Sequence, residues 1–278
     1  NLEKYLTEIA WEKGWVKNLS SQNQYKQKVA IIGSGPAGMA ASAYLIQNGY
    51  KVDVYEKNDR AGGLMIYGIP NFKLDKKIVE RRTEWLTDSG VVFNLNKEVG
   101  KNISFQDLEK DYDAILIATG VYKARQLDID TSTVNNSIPA LDFLIESNRT
   151  GLGDSPSKNK YLTAKDKHVV VIGGGDTAMD CVRTAIRQQA KEVTCLYRRN
   201  KENMPGSARE VLNAEQEGIK FNWLSVPSKI ISDSATATSM TYKVATLGEV
   251  GESGRRKPID TGVETVSYTH LRAHETIN

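Results

Sequence analysis

The feature that most constrains this chain is a pair of glycine-rich turns, each lying between a short apolar run and a helical one. The first, GSGPAG at 33–38, follows the apolar run KVAII, and the second, GGGDTA at 173–178, follows HVVVI. Glycines at these spacings allow a tight bend, close approach of backbone to a pyrophosphate and close packing of the helix on the strand. The sequence therefore predicts two α/β units, each able to bind a dinucleotide.

The first turn carries Gly33, Gly35 and Gly38 and is followed by a second predicted strand, KVDVYE, which ends at Glu56. A carboxylate at this position can accept hydrogen bonds from ribose hydroxyls. The alternative is a glycine-rich turn beside a surface glutamate. Downstream, the segment AGGLMIYGIPNFKLDK at 61–76 contains paired glycines that would let backbone approach a flat ligand, although a plain loop explains them as well.

The second turn has Gly173 and Gly175 in the first two glycine positions and Ala178 in the third. After the following strand, EVTCLYR, the expected acid is absent and two arginines, Arg198 and Arg199, take its place. Arginine at this position can pair bidentately with a 2′-phosphate, which favours NADP over NAD. The alternative interpretation is two solvated arginines at the end of a strand.

Composition excludes several other classes of protein. The chain of 278 residues has 37 basic and 34 acidic side chains, so its net charge of +3 provides no broad basic field for nucleic acid. No apolar run reaches the roughly 18 residues of a membrane span, and we expect no membrane partner. The two cysteines form no Cys-x-x-Cys pair, which agrees with a reducing, cytoplasmic location.

The reactive side chains indicate no catalytic or metal site. Cys181 and Cys195 fall within a predicted helix and a predicted strand, so we expect both to be buried as small apolar residues. His168 precedes a strand and has no partner at metal-ligand spacing. No catalytic triad or acid–base pair stands out, which suits a flavoprotein, in which the cofactor carries the chemistry.

The motifs together resemble the small (beta) subunit of NADPH-dependent glutamate synthase. The resemblance rests on GSGPAGMAA, GGLMIYGIPNFKLDK, ILIATG, VVVIGGGDTAMDCVRTAIRQQAKEVTCLYRR and NMPGSAREVLNAEQEG, in that order. It implies two Rossmann-like units, an FAD-binding unit with an NADPH-binding unit inserted in it. The residues carried over as FAD contacts are Gly33, Gly35, Pro36, Gly38, Glu56, Gly63 and Leu64. The residues carried over as NADPH contacts are Gly173, Gly174, Gly175, Asp176, Thr177, Arg198 and Arg199.

In that family, electrons pass from NADPH to FAD and then through iron–sulfur clusters to the large (alpha) subunit, where glutamine and 2-oxoglutarate yield glutamate. We expect the clusters only outside this sequence, because the family's cysteine-rich N-terminal domain has no counterpart here. Relatives of dihydropyrimidine dehydrogenase or of a bifurcating transhydrogenase share both turns and remain alternatives. A nucleotide-binding assembly subunit without turnover is a further one. Thioredoxin reductase is disfavoured, because its redox cysteines are absent.

Residues 121–166 are rich in polar and turn-forming residues around one short amphipathic stretch, ALDFLIES, which predicts a domain boundary near 155–166, and the resemblance implies a truncated chain. Residues 1–27 would be an exit helix and linker, 28–155 the first part of the FAD domain, and 156–265 an incomplete NADPH domain. Residues 266–278 leave the family pattern, and we expect them to be a non-native tail, in which His270 and His274 form no metal site.

Overall fold

Apolar runs become parallel strands, and amphipathic runs between them become helices, in both halves of the chain. The computed structural model describes residues 2–121, 127–251, 256–268 and 271–274. The described residues within 1–66 and 74–120 form one unit, and those within 67–73 and 121–278 form the other. The α/β class with parallel sheets is the fold that the sequence predicts.

The first unit is built around a four-stranded parallel sheet in the order β3-β2-β1-β4. Up to residue 120 the elements are α1 Leu2–Glu12, β1 Lys28–Ile32, α2 Pro36–Gln47, β2 Lys51–Tyr55, α3 Leu64–Tyr67, α4 Lys76–Asp88, β3 Val92–Asn94, α5 Phe105–Asp111 and β4 Ala114–Ile117. The central strands bury Ile31, Val52 and Val54, which pack with Leu86 of α4. This strand order places the turn after β1 at the carboxyl edge of the sheet, where open α/β sheets bind ligands.

Helix α1 lies on the first unit without burying any of its residues. Arg81 of α4 holds it through two hydrogen bonds to the Glu8 carboxylate, at 2.9 and 2.8 Å, and stacks its guanidinium over the Trp11 ring at 4.7 Å. Leu2, Tyr5 and Leu6 remain exposed. A charged pair and a cation–π contact therefore attach this helix in place of a buried apolar face.

The second unit has a five-stranded parallel sheet in the order β5-β12-β6-β7-β8 and a three-stranded antiparallel sheet in the order β11-β10-β9. Its elements are β5 Ser137–Pro139, α6 Ala140–Gly151, β6 His168–Ile172, α7 Asp176–Arg187, β7 Glu192–Leu196, α8 Ala208–Gln216, β8 Lys220–Asn222, β9 Ser225–Asp233, β10 Thr236–Val250, β11 Arg256–Tyr268 and β12 Leu271–His274. Cys181 and Cys195 are both buried in the core of this unit, as the sequence predicts.

The division between the two units differs from the boundary predicted near residues 155–166. The structure divides the chain after Gly120 and also assigns residues 67–73 to the second unit. Phe143 and Leu144 of α6 pack in the same core as Val171 and Val182. The predicted boundary places α6 at the end of the first domain, whereas its buried face packs in the second unit.

The tail that the sequence analysis sets apart contributes backbone to the second unit. Residues 271–274 form β12, which pairs in parallel with both β5 and β6. Residues 269–270 and 275–278, including His270, lie outside the described residues. The non-native origin of residues 266–278 stays a prediction. In the part of the chain that the structure describes, no helix has the length and apolar character needed to cross a membrane.

Candidate functional site: two glycine-rich turns

The first turn joins β1 to α2 with little space between strand and helix. Gly33 has a φ of +107°, and a Cβ there would lie 2.5 Å from the backbone oxygen of Ala118. A Cβ on Gly38 would lie 2.0 Å from the Gly33 oxygen. Both positions therefore require glycine, one for its conformation and one for close packing.

Gly35 serves a different purpose in the same turn. A Cβ built on it would meet no atom within 4 Å, and its φ of −67° is open to any residue. It immediately precedes α2, which begins at Pro36, and because glycine has no side chain, the helix has no side-chain cap from this position. The helix begins facing open space with backbone N–H groups that lack intrahelical partners, which is an arrangement suited to a pyrophosphate. The first turn thus fits the dinucleotide that the sequence predicts.

Glu56 follows β2 and lies against the first turn. Glu56 is buried, with only 5% of the residue exposed. Its Oε2 accepts hydrogen bonds from the backbone N–H and the hydroxyl of Ser34, at 3.1 and 2.5 Å. Gly62 donates its N–H to the same Ser34 hydroxyl at 3.0 Å. The structure therefore brings the turn, the acid and the Gly62–Gly63 loop together. Leu64 follows as the exposed first residue of α3.

Ser34 and Asn58, which both donate hydrogen bonds to Glu56, are residues at the first turn that the sequence does not single out. Ser34 occupies a variable position of the motif, so the glycine spacing carries no information about it. Asn58 donates both its backbone N–H and its side-chain amide to Oε1 of Glu56, at 2.9 and 2.7 Å. A short polar residue two positions after the acid is the only trace that this contact leaves in the sequence.

The second turn joins β6 to α7 and is packed against Tyr197. Gly173 has a φ of +146°. A Cβ on Gly174 would lie 2.4 Å from the Tyr197 ring, which is 5% exposed. Gly175 immediately precedes α7, so this helix also begins without a side-chain cap from that position. Thr177, its second residue, is half-buried. The second turn thus repeats the strand–turn–helix frame of the first.

A segment after the second strand supports this turn from outside. Gly206 donates its N–H to the Gly174 oxygen, and Ser207 donates its N–H to Asp176 Oδ1, both at 2.9 Å. The Tyr197 hydroxyl donates to the backbone oxygen of Asn203 at 2.9 Å. Residues 203–207 therefore form one wall of the turn, a role absent from the sequence reasoning even though the NMPGS motif was visible there.

The two arginines predicted to bind a phosphate differ in their surroundings. Arg198 is exposed, whereas Arg199 is 8% exposed and donates its Nε–H to the backbone oxygen of Arg256 at 2.7 Å. Both line a cavity of about 210 Å³ together with Gly173 and Leu127. Ligand sites usually measure roughly 300 to 1,000 Å³, so this cavity has room for part of a dinucleotide.

The described residues hold no alternative centre of metal chemistry. Within that part of the chain, no three His, Cys, Asp or Glu side chains are grouped so that they could hold a metal ion. His168 is the first residue of β6 and is half-buried.

Two glycine-rich turns, each at the carboxyl edge of its own parallel sheet, define the fold of reductases with two dinucleotide-binding domains. A family model described as "Pyridine nucleotide-disulphide oxidoreductase" matches residues 27–264, and the chain belongs to this family. The structure of FprA from Mycobacterium tuberculosis in complex with NADPH has the same fold, with a TM-score of 0.73 and 21% identity over 90% of this chain and 70% of that one.

Two curated relatives cover most of the chain. It is 48% identical over 260 residues to the glutamate synthase [NADPH] small chain of Azospirillum brasilense, covering 93% of this chain and 54% of that protein. It is 38% identical over 235 residues to the NADP(+)-dependent formate dehydrogenase subunit beta of Moorella thermoacetica, covering 84% of this chain and 32% of that one. The chain spans about half the length of the first relative and a third of the second.

Proposed function

We propose that this chain is the electron-input part of a glutamate synthase small subunit, which takes electrons from NADPH and passes them to FAD. One observation carries the proposal. The chain has two glycine-rich turns, and in each unit the next strand after the turn is followed by a charged residue. This residue is Glu56 after β2 in the first unit and Arg198 after β7 in the second, so the two charges are opposite. A carboxylate suits a ribose with free hydroxyls, and arginine suits a ribose that carries a 2′-phosphate.

In this proposal FAD occupies the first turn. The opening beside Gly35 and the uncapped start of α2 would take the pyrophosphate, and Glu56 would accept hydrogen bonds from the adenosine ribose. Bound FAD supplies a carrier that accepts electrons in pairs and releases them singly. The chain's own residues bind and orient this cofactor, and none of them needs to form a covalent bond.

NADPH occupies the second turn in the same proposal. Gly173 to Gly175 and the start of α7 would face its pyrophosphate, and Arg198 would pair with the 2′-phosphate from the rim of the cavity. The exposure of Arg198 supports this role, because an exposed guanidinium can reach a ligand without breaking internal bonds. Arg199 would contribute its remaining donors from the buried side.

The onward path is inferred from the similarity to glutamate synthase small chains. Electrons would leave FAD through iron–sulfur clusters outside this sequence and reach a large (alpha) subunit in the cytoplasm, where glutamate forms from glutamine and 2-oxoglutarate. The 48% identity to the Azospirillum chain supports this assignment. The similarity to a formate dehydrogenase subunit beta favours a second candidate, in which the same NADPH–flavin module serves a different catalytic partner.

The test uses the complete protein encoded by the source gene. We expect it to bind one FAD per chain and to lose flavin absorbance near 450 nm when NADPH is added without oxygen. Adding a glutamate synthase large subunit, glutamine and 2-oxoglutarate should then yield glutamate. Flavin reduction without glutamate would favour the second candidate. Bound flavin that NADPH cannot reduce would instead indicate an assembly subunit, and the absence of bound flavin would refute the proposal.

A further inference from the structure

Ser34 connects three segments of the first unit, although the glycine spacing of the motif does not require a serine at this position. It lies between Gly33 and Gly35 and is fully buried. Its N–H and hydroxyl both donate to Glu56 Oε2, and its hydroxyl also accepts the Gly62 N–H. One side chain thus ties the turn to the acid after β2 and to the loop before α3.

The two oxygens of the Glu56 carboxylate have different partners. Oε2 is held by the fully buried Ser34, and Oε1 by the backbone and side-chain N–H groups of Asn58. A carboxylate has about four acceptor positions, so protein donors fill all of them. Asn58 is half-buried, unlike Ser34. Only the Oε1 side therefore has a partner near the surface that can be exchanged for a hydroxyl of a ligand.

We propose that Ser34 is a positioning residue for the adenosine ribose of FAD. It fixes Oε2 of Glu56 to the turn, so that Oε1 is the oxygen that exchanges the Asn58 amide for a ribose hydroxyl. This inference rests on the proposed assignment of FAD to the first turn and specifies how that site is built. Loss of the Ser34 hydroxyl would leave the buried Gly62 N–H and one carboxylate position without a partner.

The chain offers a matched control for this test in Ser42 of α2. Ser42 is also fully buried, and its hydroxyl donates to the Gly38 oxygen at 2.7 Å, a bond within the helix that does not involve Glu56. Ser34→Ala and Ser42→Ala therefore remove the same group from equally buried positions. We expect Ser34→Ala to raise the Kd for FAD about tenfold, the effect of one hydrogen bond to a charged group, and Ser42→Ala to change it less than about twofold.

The experiment titrates flavin-free complete protein with FAD and follows flavin fluorescence, with the melting temperature recorded for each variant. If Ser34 acts through Glu56, then Ser34→Ala should add almost nothing to the effect of Glu56→Ala, because the two changes remove one coupled unit. Asn58→Ala should leave the Kd unchanged or lower it, since it removes the amide that the ribose displaces.

The possible negative results distinguish an error in the proposed function from an error in the positioning role of Ser34. If the unmodified protein binds no FAD, the proposed function is wrong and the positioning role falls with it. If Glu56→Ala weakens FAD binding but Ser34→Ala matches Ser42→Ala, only the positioning role is wrong. Additive effects of Ser34→Ala and Glu56→Ala, or a loss with Asn58→Ala as large as with Ser34→Ala, would also overturn it.

Discussion

The two glycine-rich turns share a backbone frame and differ in what surrounds it. In the first unit a side-chain network supports the turn, with Ser34 and Glu56 bonded to each other inside the protein. In the second unit a neighbouring segment supports it, through backbone N–H groups and the Tyr197 ring. The shared strand–turn–helix backbone does not by itself favour one dinucleotide over another. The residues after the second strand and the supports of the turn are what can distinguish one dinucleotide from another.

The largest expected effects come from replacing glycines of the two turns by alanine. The reason for the effect differs among three of them. Gly33→Ala should destabilise the first unit by about 3 kcal/mol or more, since it combines a positive φ with an overlap against backbone. Gly174→Ala should destabilise the second unit, because the added Cβ would overlap the Tyr197 ring. Gly35→Ala should instead melt like the unmodified protein and lose FAD, because its Cβ fills the open side of the turn.

Thermal unfolding and FAD titration of these variants separate folding from binding. A Gly35→Ala protein that binds FAD normally would show that the opening beside this residue is not the pyrophosphate site. A Gly33→Ala protein of normal stability would contradict the steric argument for the first turn.

The next largest effect should distinguish Arg198 from Arg199, the two neighbouring arginines that follow β7. Arg198→Ala should lower the preference for NADPH over NADH about 10- to 100-fold, the effect of losing hydrogen bonds to a charged group, without lowering the melting temperature. Arg199→Ala should also lower the melting temperature, because it removes the bond to the Arg256 oxygen. The measurement is kcat/KM for both nucleotides. Equal losses for NADPH and NADH with Arg198→Ala would mean that this residue does not contact the 2′-phosphate.

A smaller effect should come from the segment that supports the second turn. Ser207 has a φ of −54°, which proline can adopt, so Ser207→Pro removes the N–H that donates to Asp176 Oδ1 and places the proline ring against that carboxylate. We expect NADPH binding to weaken about threefold to tenfold, the scale of one hydrogen bond. Ser207→Ala keeps the N–H and is the matched control. If the two variants bind NADPH equally well, the wall formed by residues 203–207 has no influence on the turn.

The sequence predicts the frame of both units because its signals are local. Glycine spacing, apolar strands and the acid or arginine after the second strand all lie within about 30 residues of one another. It does not predict the Ser34–Glu56–Gly62 contact, because hydrogen bonds between separate segments leave no periodic trace. The predicted boundary places α6 in the first domain for a similar reason, since the sequence does not show which core a short apolar stretch between polar ones packs against.

The two helices that follow the turns differ in charge, which predicts different responses to acid. Helix α2 contains no charged residue, whereas α7 carries Arg183 and Arg187, which both bind Glu217 near the end of α8. Hydrogen bonds from Arg187 and Arg183 lower the pKa of Glu217 from its ordinary 4.5 to about 2, although its partial burial opposes them. Helix α7 therefore has charged side chains that pair with a carboxylate, whereas α2 has no charged side chain that could form such a pair.

The smallest expected effect follows from that pKa. Because the folded protein favours the ionised carboxylate, Glu217 stabilises the second unit fully above pH 4.5, and this contribution is lost as the pH falls from 4.5 toward 2. Glu217→Gln keeps the shape but cannot ionise. It should lower the melting temperature near pH 6 by about 2–4 °C, the shift that corresponds to roughly 1 kcal/mol in a unit of this size. The difference from the unmodified protein should shrink as the pH approaches 2. No difference near pH 6, or a difference that stays constant as the pH falls toward 2, would show that the ionised carboxylate of Glu217 does not stabilise the second unit, and that the pairing of Arg183 and Arg187 with it contributes nothing to the support of α7.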